Sequence, residues 1–450
     1  MALSRSLVRE LCSNCSWGLT SPTTDEDLPT KIQDLGFDFP AGDLDDSTLV
    51  SQPSASTLTA RPPTNVLLYV MESTGAEYLD SYGGRWEVTP HINELSAHSL
   101  LFQDISAQIG KSEGSLATLF LSTYLPLSWR MVTEEHPDLD GISLAQVLHE
   151  HGRRTALISA TNLHYGKQLR FLQGRGFDKI SDPYTLACPA DSSWGTSDAC
   201  AVDEFLHWVD VDPTHPFFAV VWTNQTHHPY IVPKGIVPHS FAHAPLPKQI
   251  GDFDEYLNAL GESDRQVGRT LDALNDRGLL DDTLVVITGD HGEAFGAKHP
   301  TFMHGFHTYQ ENIHVPCLFY NRKLWPEGKR ITTVGSHLDI APTITDVLGL
   351  PTASTWQGKS LFHPSRHERL YSFATHRDFI LSVREGSWKY ILNLSNGAEE
   401  LYNLDEDPDE LANQASIEIE RARRLHQRMS AWVRTQKERF RQGEISVCAY

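Results

Sequence analysis

Asn65-Val66-Leu67-Leu68-Tyr69-Val70-Met71-Glu72-Ser73 is the stretch from which the architecture can be worked out. Six consecutive apolar residues are too few for a helix core and show no in–out alternation, so they read as a strand covered on both faces. The run ends abruptly in a carboxylate. Further runs of the same kind occur at Thr155–Ser159, Phe217–Trp222, Leu284–Thr288 and Val315–Tyr320. Between them lie stretches of helical period. Leu144–Glu150 is one; in Asp254–Arg277 the residues Tyr256, Leu257, Leu260, Val267, Leu271 and Leu274 fall on one face before Gly278. Strands alternating with helices predict an α/β fold: a mostly parallel central sheet with helices on both faces.

Composition brackets this core. The chain has 450 residues, enough for two or three domains at roughly 150 residues each. Residues 1–63 carry nine acids against four bases and turn Ser/Thr/Pro-rich from Asp46, which predicts a largely disordered acidic tail. Residues 64–365 hold the alternating pattern. From 366 to 450 the texture changes: Leu370–Phe373, Phe379–Val383 and Trp388–Leu392 predict a small antiparallel sheet, and residues 417–440 a long helix. Ala422, Leu425, Met429, Trp432 and Val433 lie on one face of that helix, and its arginines read as the solvated face. With 37 Lys+Arg against 58 Asp+Glu, the net charge of -21 argues against nucleic acid or an anionic membrane surface as partner. No signal peptide is visible at the start, and no apolar run approaches the ~20 residues needed to cross a bilayer. Localisation and oligomeric state stay open, as does whether Cys188 and Cys200 pair. Cys12 and Cys15 lack further ligands that would complete a zinc site.

Ligands of a parallel sheet bind beyond the carboxyl ends of its strands. The first run delivers Glu72 there, and Thr155–Ser159 leads to Asn162 and His164. Phe217–Trp222 leads to Asn224, His227 and His228, and Leu284–Thr288 to Gly289-Asp290-His291-Gly292. Ten of the 22 histidines fall within residues 215–314, about twice an even share. Imidazole mixed with carboxylate suits zinc or manganese better than calcium. Without an ion, Glu72 and Asp290 brought together would repel or take up a proton. The plainer alternative makes each a helix cap after its strand. Gly110-Lys111-Ser112-Glu113-Gly114-Ser115, ahead of apolar Leu116–Leu121, supplies a hydroxyl at a helix start. There it is either an N-cap or a nucleophile whose ionisation a metal assists.

These segments together resemble the sulfatase-like branch of the alkaline phosphatase superfamily, over roughly residues 64 to 440. Asn65 to Ser73, Tyr82-Gly83 and Thr89-Pro90 are similar to the sulfatase start. Ser112 to Tyr124 is similar to the nucleophile helix, and Thr283 to Glu293 to the second metal motif. Trp388 to Ile391 and Glu400 to Asn413 resemble the C-terminal subdomain. Sulfatases convert Cys or Ser to formylglycine within C/S-x-P-x-R, whereas here Gly114 and Leu116 replace Pro and Arg. Glu72-Ser73 and Gly110-Lys111-Ser112 look more like the lipoteichoic-acid synthase and phosphoethanolamine transferase branch. There a hydroxyl attacks a phosphodiester and Glu, Thr, Asp and His hold one metal. Thr226-His227-His228-Pro229 and Met303-His304-Gly305 resemble that branch's histidine segments.

The resemblance implies a catalytic domain over 64–365 and a metal held by Glu72, Ser112, Asp290 and His291, with His314 in a second shell or at a second metal. It implies Ser112 as nucleophile and His227 or His304 as the acid for the leaving oxygen. Lys111, His164 and Trp194 would bind the substrate, a small anionic ester. The expected function is a metal-dependent hydrolase or transferase cleaving a phosphate ester or phosphodiester through a covalent Ser112 intermediate. The alternatives are a true sulfatase with Ser112 modified, and an inactive binding domain on the same fold. Residues 64–365 carry 20 bases and 35 acids, so capture of an anion must depend on a local positive centre.

Overall fold

The computed structural model describes residues 61–241, 253–363 and 369–442. Nearly all of the acidic tail, with Cys12 and Cys15, lies outside them. The main sheet is built from Asn65–Met71 (β1), Ser99–Ser106 (β2), Arg154–Ser159 (β3), Lys179–Ser181 (β4), Phe217–Trp222 (β5) and Thr283–Gly289 (β6). After the short hairpin Ala294–Phe295 (β7) and Phe302–Met303 (β8) come His314–Val315 (β9), Cys317–Tyr320 (β10) and Lys329–Ser336 (β11). The order across the sheet is β11-β2-β10-β6-β1-β5-β3-β4, with β9 alongside β2. All pairings are parallel except those of β9 and β10.

The expected architecture is therefore present, with local differences. The run Val315–Tyr320 is two strands rather than one, broken at Pro316, which has no N–H to donate to a ladder. It also runs antiparallel to β2 and β6. Three strands escape the search for apolar runs. β2 is interrupted by half-buried Gln103 and Asp104, β11 is an edge strand with its first residues exposed, and β4 has three residues. The long helix Phe253–Asp276 buries the face its period marks and stops at Gly278, whose φ of +67° suits a residue without Cβ. There Gly278 N–H donates to Asn275 O, and Leu279 N–H to Leu274 O.

The C-terminal sheet is Arg369–Ala374 (β12), Ile380–Glu385 (β13), Trp388–Asn393 (β14) and Glu399–Asn403 (β15), antiparallel in sequence order. Helix Ile419–Gln442 packs on it through buried Ala422, Leu425, Met429, Trp432 and Val433. Tyr371 stacks on Trp432 with ring centroids 4.5 Å apart. This sheet is tied to the main one: Phe373 N–H donates to Gln108 O at 2.9 Å and Ser372 Oγ to Ala107 O at 3.1 Å. A fully buried ion pair, Lys389 Nζ to Glu410 Oε1 at 2.7 Å, secures β14, and Glu410 also accepts Gln310 N–H at 2.6 Å. Glu410→Ala strands the lysine charge. It is expected to cost about 3–5 kcal/mol, read as a lowered urea midpoint.

Candidate active site

Strand register builds the centre. β1 lies between β5 and β6, and pairing Met71 with Gly289 places Glu72 and Asp290 at the same level just past the strand ends. Asp290 Oδ1 accepts the N–H of Ser73 and of His291, each at 2.7 Å. This is the capping role expected of a carboxylate after a strand, but it uses one oxygen only. Oδ2 is buried with no hydrogen-bond partner among the described residues and lies 3.4 Å from His291 Nε2, which leaves it able to meet a ligand. Glu72, also fully buried, accepts Trp222 Nε1–H at 3.2 Å, while its own N–H donates to Thr223 Oγ1.

Ser112 is the first residue of helix Ser112–Leu121, and Lys111 is the cap. The hydroxyl therefore does not cap. It stands 3.1 and 3.2 Å from the two Glu72 oxygens and 3.2 Å from His291 Nε2. Ser115 Oγ donates to Asp290 O and fastens the first turn to the same loop. His291 Nδ1 is taken by Gly292 O at 3.0 Å, so Nε2 is the nitrogen offered to the centre. Ligand atoms of Glu72, Asp290 and His291 lie within 4.8 Å of one another.

The electrostatics suit a cation. Burial, then Asp290, raises the Glu72 carboxyl; burial pushes Asp290 up to about 6. Burial and the neighbouring His304 push His291 down to about 4, leaving it neutral, as a ligand must be. Two buried carboxylates, one with an orphaned oxygen, and a neutral imidazole are a donor set that fits a divalent ion.

Two further histidines flank the centre. His304 Nδ1 meets Glu293 Oε2 at 2.7 Å, and Tyr230 OH donates to Glu293 Oε1 at 2.6 Å. Burial alone would lower His304, but Glu293 outweighs it and holds the ring up at about 9. His227 is pushed the other way by burial, its Nδ1 engaged by His228 O at 2.7 Å. Trp194 lies over His227 with centroids 4.7 Å apart, and Tyr165 is 5.2 Å from Trp194. The disulfide Cys188–Cys200 brackets the loop that carries Trp194.

These groups line a cavity of about 190 Å³ that includes Glu72, Lys111, Ser112, Trp194, His227 and His304. Two of the expected residues stand elsewhere. His164 is exposed beside Asp182, at 3.6 Å, and Tyr184. His314 turns Nε2 to Gln103 O at 2.7 Å and lines a different cavity with Asp104 and Arg384. The residues not anticipated are those acting through others. Glu293, Tyr230 and Trp222 are buried, and Thr375 and His376 come from the C-terminal sheet. The run Gly292-Glu293 directly after the metal-type motif was the one signal for them.

The family model described as Sulfatase matches residues 64–350. Among curated proteins, the chain is 31% identical over 211 residues to arylsulfatase K of Xenopus laevis, covering 42% of this chain and 39% of that protein. It is 25% identical over 432 residues to arylsulfatase K of Bos taurus, covering 78% of each. Among solved structures, it is similar to a protein in the alkaline phosphatase superfamily from Vibrio parahaemolyticus. That match has a TM-score of 0.67 at 21% identity, over 93% of this chain and 97% of the other. The lipoteichoic acid synthase LtaP from Listeria monocytogenes gives a TM-score of 0.62 at 19% identity, over 86% and 96%. The structural likenesses carry the fold. The relatives are named as sulfatases, and so favour the sulfuric-ester alternative over the expected phosphoester.

Proposed function

The chain belongs to the sulfatase family, and on that premise we propose that it hydrolyses a negatively charged ester by attack of an oxygen carried at residue 112, a sulfuric ester with Ser112 converted to formylglycine being the first reading. The observation that carries the chemistry is the Ser112 hydroxyl, unused as a cap and held between Glu72 and His291. The relatives' names support sulfate as the group. One specific observation favours a second reading, a phosphate ester or phosphodiester: Gly114 and buried Leu116 occupy the positions where C/S-x-P-x-R has Pro and Arg. On this second reading Ser112 is an unmodified serine, whereas on the first it is converted to formylglycine.

Glu72, Asp290, His291 and Ser112 would hold a divalent ion, zinc or manganese by the imidazole in the set; when bound it supplies Lewis acidity and eases ionisation of the hydroxyl. The chain's own groups do the rest. Glu72 and His291 orient Ser112 Oγ. On the unmodified serine, Oγ gives its proton to Glu72, which already accepts its hydrogen bond at 3.1 Å, as it bonds to phosphorus; the bond to the leaving oxygen breaks, and that oxygen takes a proton from His304 or His227. Water then cleaves the ester on Ser112, releasing the acid and restoring the hydroxyl. Trp194 forms an apolar wall of the cavity.

Intact-mass spectrometry separates the two readings. A loss of two hydrogens at residue 112 with turnover of an aryl sulfate supports the sulfatase. An unmodified Ser112 that gains a p-nitrophenylphosphoryl group from bis-p-nitrophenyl phosphate, with release of one p-nitrophenol, supports the second reading. Absence of turnover and of adduct with every ester, on metal-loaded protein, rejects both.

A further inference from the structure

Lys111 and Ser112 are neighbours whose side chains part. The Ser112 hydroxyl meets Glu72 and His291, whereas the Lys111 stem runs alongside Gly305 and ends at Thr375 Oγ1, 3.1 Å from Nζ. A Cβ on Gly305 would sit 3.4 and 3.5 Å from Lys111 Cγ and Cε. Among the described residues that hydrogen bond is the ammonium's single partner, and no carboxylate comes within the 4.0 Å of an ion pair. Glu113 lines the same cavity without reaching that distance. In a chain with 58 acids, a half-buried ammonium with a hydroxyl as its one hydrogen-bond partner among the described residues is a charge kept available.

The next residue after Thr375 extends the same feature. His376 N–H donates to Gly305 O at 3.2 Å, its exposed ring stands 4.2 Å from Phe306, and it lines the cavity with Lys111. Buried Thr375 is fixed by the strand before it, where Phe373 is bonded to Gln108 in the loop leading to Ser112. A charge, a hydroxyl and an imidazole thus converge on the side of the cavity that the segment after β12 supplies.

We propose that Lys111, Thr375 and His376 form a second anion subsite, which takes a negatively charged group on the alcohol part of the ester: a carboxylate, sulfate or phosphate. Lys111 supplies the charge, Thr375 fixes where its ammonium stops, and His376 supplies a ring nitrogen. The preferred substrate then carries two negative groups, the scissile one and this one. The inference rests on the ester-hydrolase reading above.

The test compares kcat/KM for a p-nitrophenyl ester and its ring-carboxylated analogue, sulfate or phosphate according to which is turned over, on full-length metal-loaded protein. Lys111→Met and His376→Ala are each expected to lower the ratio of carboxylated to plain ester about tenfold, and Lys111→Arg to keep most of it. His376 is exposed, so its variant guards against a folding failure at Lys111. An equal loss on both esters, with the ratio unmoved, overturns the subsite and leaves the hydrolase standing. Wild-type protein that turns over neither ester overturns both.

Discussion

Ser112→Ala is expected to lower turnover by about 10⁴-fold or more, leaving the residual rate that binding and electrostatics alone sustain. The size follows from the proposed role, in which the oxygen at residue 112 forms the new bond. Glu72 and Asp290 are carboxylates committed to the centre, and His291 offers one nitrogen to the same spot. Stability should hardly move. Lys111 and not Ser112 is the helix cap, so losing the hydroxyl removes no capping bond, and the unfolding free energy from urea denaturation is expected within ~0.5 kcal/mol of wild type. Steady-state kinetics and denaturation of the same preparation check the two halves. Full turnover in the alanine variant would reject every scheme that uses this side chain.

Stripping the metal is the second large effect. Dialysis against a chelator is expected to abolish turnover, and re-addition of zinc or manganese to restore it. Because an ion bound to the folded chain alone stabilises by about 2.7 kcal/mol at a hundredfold excess over Kd, the stripped protein should also melt lower. The pH dependence has a definite sign. In the metal-free protein Asp290 sits at about 6, so below that pH a proton competes with the ion for the carboxylate. His291, at about 4, stays neutral and does not compete until far lower. Affinity should therefore fall as pH drops through 6, measurable by calorimetry at several pH values. Unchanged affinity at pH 5 would show that Asp290 is not a ligand.

Much of this could be read in the sequence because buried parallel strands announce themselves. β1, β3, β5 and β6 are unbroken apolar runs, and parallel pairing brings the loops at their carboxyl ends to one edge by construction. The pairing of Met71 with Gly289 then turns two distant motifs into one cluster. β2 and β11 were illegible because each mixes buried and accessible positions. The site divides in the same way. Glu72, Ser112, Asp290 and His291 belong to local motifs, whereas His164 and His314 lie near such motifs in sequence and turn elsewhere in space. Glu293 could have been suspected from its place after Gly292; Tyr230 and Thr375 could not, since their contacts depend on tertiary packing.

The bond between Ser372 and Ala107 joins residues 265 positions apart, and with its neighbour from Phe373 to Gln108 it sets a timetable for the molecule's synthesis. A nascent chain extended only to β11 already contains Glu72, Ser112, Asp290, His291 and His304, the groups of the proposed reacting centre. It lacks the strand that braces the nucleophile loop and delivers Thr375 and His376. The reactive centre is thus encoded early and its substrate rim late. Fragments ending before Arg369 keep the residues of the proposed centre but lack the proposed rim, and are expected to choose among esters worse than the full chain.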